Sequence, residues 1–357
     1  RRVLFRSDML LNPSLNNDAI KNEKGIIENE YVRAVDRDLR DPAAQFMFSF
    51  TDAPKLRNRL GNKADLQKIR REDIVNFRQK YYHSNNFIAV YVGNLSARRV
   101  KSLLAKYFIS KLSYSEDVEV TKTPVDAKTT REAGLAVSNV NLDPARVMIA
   151  FPYQADFSSN KVRVLNQFIE MFINKNARQF FYALREKGLV YEASADCTGG
   201  FNQRYLSYFF VTKNEQIDEC LQVLGETIRG LVEKKISNKD FDSIKNNMIY
   251  TREQQFLPSK REISDYVFEQ FLDTGKVLNL SKREYLKIVQ NMKIEDVFDY
   301  IDTIFRNNSL PYCVIIGNEK AKKITYVDII KRVYPNVIDI LTDGNKKKII
   351  IKNSAKD

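Results

Sequence analysis

Two carboxylates, Glu23 and Glu30, stand seven positions apart in the stretch "EKGIIENE". On a helix, seven residues make about two turns, with ~10 Å of rise, so both carboxylates fall on one face. Carboxylates placed this way hold a metal or move protons, and both tasks ordinarily enlist histidine. The chain has a single histidine, His83. A separation of ~10 Å is too large for one metal to take both groups, so the spacing offers one ligand and one outer, charge-stabilising carboxylate. It equally suits a solvated helix carrying charge pairs such as Glu30 with Arg33.

The element that must position these carboxylates is a helix, expected over Asn17 to Arg37 with Asn16 or Asn17 as its cap. Further along, the chain repeats itself. "DAIKN" (Asp18 to Asn22) returns as "DSIKN" (Asp242 to Asn246), 224 positions later. "REDIVNFRQKYYHSNNFIAVYVGN" (Arg71 to Asn94) returns as "IEDVFDYIDTIFRNNSLPYCVIIGN" (Ile294 to Asn318). Each copy opens on a Glu-Asp pair, which favours the positive end of a helix dipole. Ile74, Phe77 and Tyr81 then share a face, as do Val297, Tyr300 and Ile304. An Asn-rich turn follows, then a β-rich run, "FIAVYVG" or "YCVIIG", closed by glycine, so each copy is expected to end helix–turn–strand.

The chain therefore divides into two homologous halves: residues 8–109, a polar linker over 110–134, and 135–357 with a basic tail. In the second half, strands are expected in "LAVSNVNL", "RVMIAFPY", "VYEASADCTGG" and "RYLSYFFVT", with helices over Val162–Ile173, Gln216–Lys234 and Asn238–Phe256. Strands and helices come in blocks rather than in strict alternation, which indicates an α+β fold. A repeat of about 224 residues whose second copy starts near 131 puts the front of the first copy about 93 residues ahead of residue 1. Residues 1–7, "RRVLFRS", match the translation of a common sequencing adapter and are set aside from fold reasoning.

Net charge is +13, from 58 basic and 45 acidic residues, but the basic residues are scattered and cluster only in "NKKKIIIK" near the end. Charge alone is thus a weak argument for nucleic acid. No apolar run approaches the ~18 residues that span a bilayer. The three cysteines, Cys197, Cys220 and Cys313, form no paired spacing. They read as buried free thiols in a reducing compartment, which points to the cytoplasm. His83 reads as a polar turn residue, and Gly199-Gly200 as a hairpin turn.

"DMLLNPSLNNDAIKNEKGIIENEYVRAVD" resembles the insulinase/pitrilysin-like zinc metallopeptidases, a family that includes the mitochondrial processing peptidases. "YYHSNNFIAVYVGN" is similar to their Tyr-Tyr-x-Pro-x-Asn segment, and "LREKGLVYEAS" (Leu184 to Ser194) to their Arg…Gly-Leu-x-Tyr segment. The three motifs occur in family order on a duplicated chain. The resemblance implies two α/β halves closing a chamber and metal-assisted hydrolysis of peptides held between them. It implies Glu30 as a zinc ligand and Glu23 as the outer carboxylate. It also implies Arg185 and Tyr191 as residues reaching the substrate, although their spacing is six here and commonly seven in the family. The remaining ligands, the histidines of an HxxEH helix, would sit about 45 residues ahead of residue 1, so this chain by itself is expected to be inactive. A homodimer or a paired subunit is the assembly the resemblance allows.

The repeat places Asn247 and Gln254 opposite Glu23 and Glu30, so the second half lacks both carboxylates. That suits chemistry in one half and support in the other. Two alternatives stand beside the peptidase: a non-catalytic scaffold or processing-complex subunit of the same fold, and a basic nucleic-acid-binding protein.

Overall fold

The computed structural model describes residues 8–51, 63–116, 132–156, 159–175, 179–199, 204–254, 264, 267–268, 282–305, 310–334, 337–343 and 346–351. Residues 1–7, linker residues 117–131 and Gly200 lie outside them. The elements in chain order are α1 (Asn17–Leu39), α2 (Pro42–Phe50), α3 (Lys63–Lys68), α4 (Arg71–Tyr81), α5 (Ala97–Tyr107), β1 (Leu135–Asn139), β2 (Ala145–Tyr153), α6 (Asn160–Lys175), α7 (Phe180–Glu186), β3 (Val190–Gly199) and β4 (Arg204–Thr212). Then follow α8 (Ile217–Val232), α9 (Asn238–Gln254), α10 (Lys282–Asn291), α11 (Ile294–Phe305), β5 (Tyr312–Gly317), α12 (Tyr326–Val333), β6 (Val337–Asp343) and β7 (Lys346–Ile351). This is the mixed helix-and-sheet composition expected of an α+β fold. The chain forms two compact units, one of Arg1–Val35, Asn58–Pro124 and Leu257–Leu278, the other of Asp36–Arg57, Val125–Phe256 and Asn279–Asp357.

The first unit is helical and thinly packed. Asn16 caps α1: its Oδ1 accepts the Ala19 N–H at 2.7 Å. Lys24 donates to the Gln67 carbonyl at 2.9 Å, and the Gln67 side chain donates to Glu28, which ties α1 to α3. Arg71 and Arg78 of α4 reach back to the carbonyls of Leu15 and Leu11. Among the described residues of this unit, only Leu66 and Phe108 are buried apolar side chains.

The second unit is built on a five-stranded sheet in the order β1-β5-β2-β4-β3, with β1 parallel to β5 and every other pair antiparallel. One face carries the main core, where Ile149, Phe168, Phe172, Phe180, Leu206, Tyr208 and Ile315 are almost wholly shielded from solvent. The other face is covered by α2, whose Phe46 and Phe50 pack edge-on against Tyr205 and Tyr312 with ring centres 5.1 Å apart in each case. α2 starts cleanly because Asp41 accepts the Ala43 N–H at 3.0 Å and Pro42 occupies the first helical position. The basic run 346–351 is strand β7, paired with β6.

The two repeated sequence segments open on the same capping contact. Asp73 accepts the Arg70 N–H at 2.7 Å at the start of α4, and Asp296 accepts the Lys293 N–H at 2.9 Å at the start of α11. The two copies then part. Tyr312–Gly317 is β5, paired on both edges and buried throughout. Its counterpart Phe87–Gly93, expected as a strand, forms none, and Ile88, Ala89 and Tyr91 are exposed. The physical reason is that a strand needs a neighbour for its backbone N–H and C=O groups, and the described residues of this unit contain no strand.

Candidate functional site

Glu23 and Glu30 both lie on α1, as the spacing required, and both are exposed. Among the described residues, neither has a hydrogen-bond or ion-pair partner, so the Glu30–Arg33 pair does not form. The second copy differs. Asn247, opposite Glu23, accepts a hydrogen bond from the Thr251 hydroxyl at 3.0 Å. The carboxylates of the first copy are thus free where the amide of the second is satisfied within its own helix.

A zinc ion needs three or four N, O or S donors at about 2.0–2.3 Å. Among the described residues no group of three or more His, Cys, Asp or Glu side chains is placed to hold a metal. His83 is turned to a local task, its Nδ1 lying 2.9 Å from Ser113 Oγ at the head of a short 3₁₀ turn. The described residues alone therefore do not fit a zinc ion.

Arg185 and Tyr191 belong to the second unit and flank one turn. Arg185 sits in the last turn of α7, with its guanidinium 5.7 Å from the centre of the Phe181 ring. The helix stops because Gly188 adopts φ +68°, a left-handed conformation that L side chains rarely accept. The Gly188 N–H donates to the Arg185 carbonyl at 2.9 Å, and Leu189 to the Leu184 carbonyl at 3.0 Å. Tyr191 then falls at a bulge between Val190 and Glu192, opposite no residue of β4, and is 89% exposed. The bulge leaves this side chain free of the core while Leu189 and Ala195 stay buried. Arg185 and Tyr191 are thus two exposed groups, one a fixed cation and the other a phenol, three residues either side of Gly188.

The same unit holds a polar network that sequence reasoning missed. Asn166 of α6 accepts the hydroxyls of Tyr153 at 2.7 Å and Tyr300 at 2.9 Å. Glu170, one turn on, accepts the Cys197 N–H at 2.9 Å. Asn174, another turn on, clamps Ala195 by donating to its carbonyl at 2.6 Å and accepting its N–H at 2.8 Å. The row Asn166, Glu170, Asn174 repeats every four residues on one face of α6. Its last two members satisfy the outward backbone groups of edge strand β3. Burial raises the Glu170 carboxyl above its ordinary value, against the opposing pull of the Cys197 N–H. Burial, with the Glu170 charge beside it, pushes the Cys197 thiol up to about 12, and burial pushes Cys220 up to about 11. All three cysteines are free and buried, as expected, and the two shifts keep their thiols protonated and inert. The period-four spacing on α6 was the available signal, but Asn, Glu and Asn in a helix ordinarily face water.

The family model described as the peptidase M16 inactive domain matches residues 68–248. The chain belongs to the M16 peptidase family. Among solved structures, a protease from Helicobacter pylori superposes with a TM-score of 0.67 at 18% identity, over 88% of this chain and 76% of that one. The peptidase M16 inactive domain from Pseudomonas fluorescens gives a TM-score of 0.67 at 15% identity, over 89% of this chain and 74% of that one. The periplasmic protease PqqL from Escherichia coli gives 0.64 at 16% identity, over 84% of this chain but only 33% of its own length. These similarities establish a shared fold. No curated protein matches the chain in sequence. Among the described residues, no helix is long and apolar enough to cross a membrane.

Proposed function

We propose that this M16-family chain is part of a zinc-dependent peptidase that hydrolyses peptides or unfolded segments, and that its 357 residues do not catalyse by themselves. The observation that carries this reading is the asymmetry of α1 and α9. Glu23 and Glu30 project from one helical face without partners among the described residues, whereas the duplicate keeps no carboxylate at either position. Two acids on one face that the duplicate lacks suit a ligand and its outer carboxylate. In this reading Glu30 is one zinc ligand, and histidines from outside the described residues complete the set. Glu23 supports the site, and Arg185 and Tyr191 supply a permanent charge and a hydrogen-bond donor to the bound peptide. When bound, the metal would supply Lewis-acid polarisation and an activated water.

A second reading, a non-catalytic subunit of the same fold, is favoured by the family model itself, which describes an inactive domain. The two separate on the parent gene. An HxxEH helix encoded ahead of Asp8, together with zinc binding lost in Glu30→Gln, supports the peptidase. A parent without that motif, or one whose zinc content is untouched by Glu30→Gln, rules it out.

A further inference from the structure

Tyr191 is exposed at the bulge and opposite no residue of β4, so the ladder does not itself set the direction of its side chain. That direction is set by the backbone on either side. On the far side, Glu192 pairs with Val211 and Asn174 clamps Ala195. On the near side stand Leu189 and Val190, and Thr212 meets both. Thr212 is the last residue of β4 and pairs with Val190 on one edge and with Ala145 of β2 on the other. Its hydroxyl donates to the Leu189 carbonyl at 2.6 Å. The Cys220 thiol of α8 lies 3.4 Å behind it and donates to the same hydroxyl.

Thr212 falls on the same face of β4 as Tyr208 and Phe210, two wholly shielded members of the main core, and is itself only 2% exposed. Valine would fill this place with the same branched shape and the same preference for a strand, and would bury no polar atom. A buried hydroxyl costs stability unless it is hydrogen-bonded. Here the bond goes to the carbonyl two residues before Tyr191. Leu189 is then held at both of its backbone groups, since its N–H donates to the Leu184 carbonyl at 3.0 Å. The peptide unit that joins Leu189 to Val190 is thereby fixed, and the bulge takes its direction from it.

We propose that Thr212 is a positioning residue for Tyr191: its buried hydroxyl holds the Leu189–Val190 peptide so that the bulge presents the Tyr191 phenol to the bound peptide. Thr212 does not touch substrate and acts only through Tyr191. This role rests on the reading of Tyr191 as a donor to the substrate, and the test below separates the two.

Peptide hydrolysis is measured in the parent peptidase well below its Tm, with Thr212→Val, Thr212→Ser, Tyr191→Phe and the double variant Thr212→Val/Tyr191→Phe. Thr212→Val removes the hydroxyl and keeps the shape. It is expected to lower kcat by ~10-fold with KM changed by less than about threefold. Thr212→Ser, which restores the hydroxyl, returns kcat to within about threefold of the native value. The double variant loses no more than Tyr191→Phe alone, because a residue acting through Tyr191 has nothing left to position. In the 357-residue chain, Thr212→Val speeds amide exchange at Val190 and Tyr191 by ~10-fold and leaves β5 unchanged. An unchanged kcat in Thr212→Val, beside a Tyr191→Phe that lowers it, overturns the positioning role and leaves the reading of Tyr191 standing. So do losses that multiply in the double variant, a serine that fails to rescue, or a valine variant whose only loss is in Tm. Turnover untouched by Tyr191→Phe, or no hydrolysis by the parent, overturns the reading of Tyr191 and the role of Thr212 with it.

Discussion

Gly317 and Gly93 occupy the same place in the two copies, and alanine at each should have very different consequences. Gly317 ends β5 where three elements converge. A methyl there would overlap Asn214 Oδ1, come within 2.7 Å of Ala321 Cβ and lie 3.4 Å from Ala145 Cβ. Asn214 cannot simply swing aside. It is held by donating to the Leu142 carbonyl at 3.0 Å and to Asp143 at 3.2 Å, and by accepting the Asn318 N–H at 2.9 Å. Overpacking a filled site costs about 1–3 kcal/mol, and breaking one or two of these hydrogen bonds adds about 1 kcal/mol each. Gly317→Ala should therefore destabilise the second unit by about 2–5 kcal/mol, a fall in Tm on the order of 10 °C for a unit of this size. At Gly93 the three nearest atoms all belong to Tyr91, an exposed side chain that can rotate away. Gly93→Ala should change stability by less than about 0.5 kcal/mol. Differential scanning calorimetry on the two variants measures both. Equal shifts, or a Gly317→Ala shift below about 2 °C, would refute the packing argument.

Other consequences follow from the second unit. Asn174→Ala removes both side-chain hydrogen bonds to the Ala195 backbone; it should cost about 1–3 kcal/mol and speed amide exchange at Ala195 while leaving β5 protected. Glu170 has a raised folded-state pKa, so the fold favours its protonated form. Its contribution is full below the ordinary carboxylate value and is lost as pH rises through the raised one. Glu170→Gln should thus gain Tm relative to the native chain as pH rises, and a pH-independent difference would contradict the assigned burial effect. Arg185→Gln and Tyr191→Phe alter exposed groups. They should leave Tm within about 1–2 °C while lowering peptide turnover in the active parent, and a stability loss without a kinetic one would make them structural.

Much of the second unit could be read from its residues. The apolar, aromatic and β-branched runs "RVMIAFPY" and "RYLSYFFVT" coincide with β2 and β4, and the 3.6-residue period with α6, α8 and α9. The Glu-Asp pairs foretold two helix starts because capping is a local interaction between residues three apart. What failed was non-local. "FIAVYVG" has strand chemistry but no strand beside it among the described residues of its unit, and propensity does not report which partner a strand will find. The network joining Asn166 to Tyr153 and Tyr300 links residues 13 and 134 positions apart, so no spacing rule could reveal it. The six-residue Arg185–Tyr191 interval gave no hint of the bulge at Tyr191, because a bulge is defined by the register with β4. Glu23 and Glu30 were legible as a pair on one face, since a helix fixes that geometry by itself.

In the proposed peptidase, Glu30 belongs to a zinc site that the described residues cannot complete. Metal analysis after dialysis, on the 357-residue chain, the restored parent and its Glu30→Gln variant, tests it most directly. The expected result is about one zinc per chain in the parent, its loss together with peptide hydrolysis in Glu30→Gln, and neither zinc nor hydrolysis in the 357-residue chain. Stoichiometric zinc and peptide hydrolysis by the 357 residues alone would contradict it.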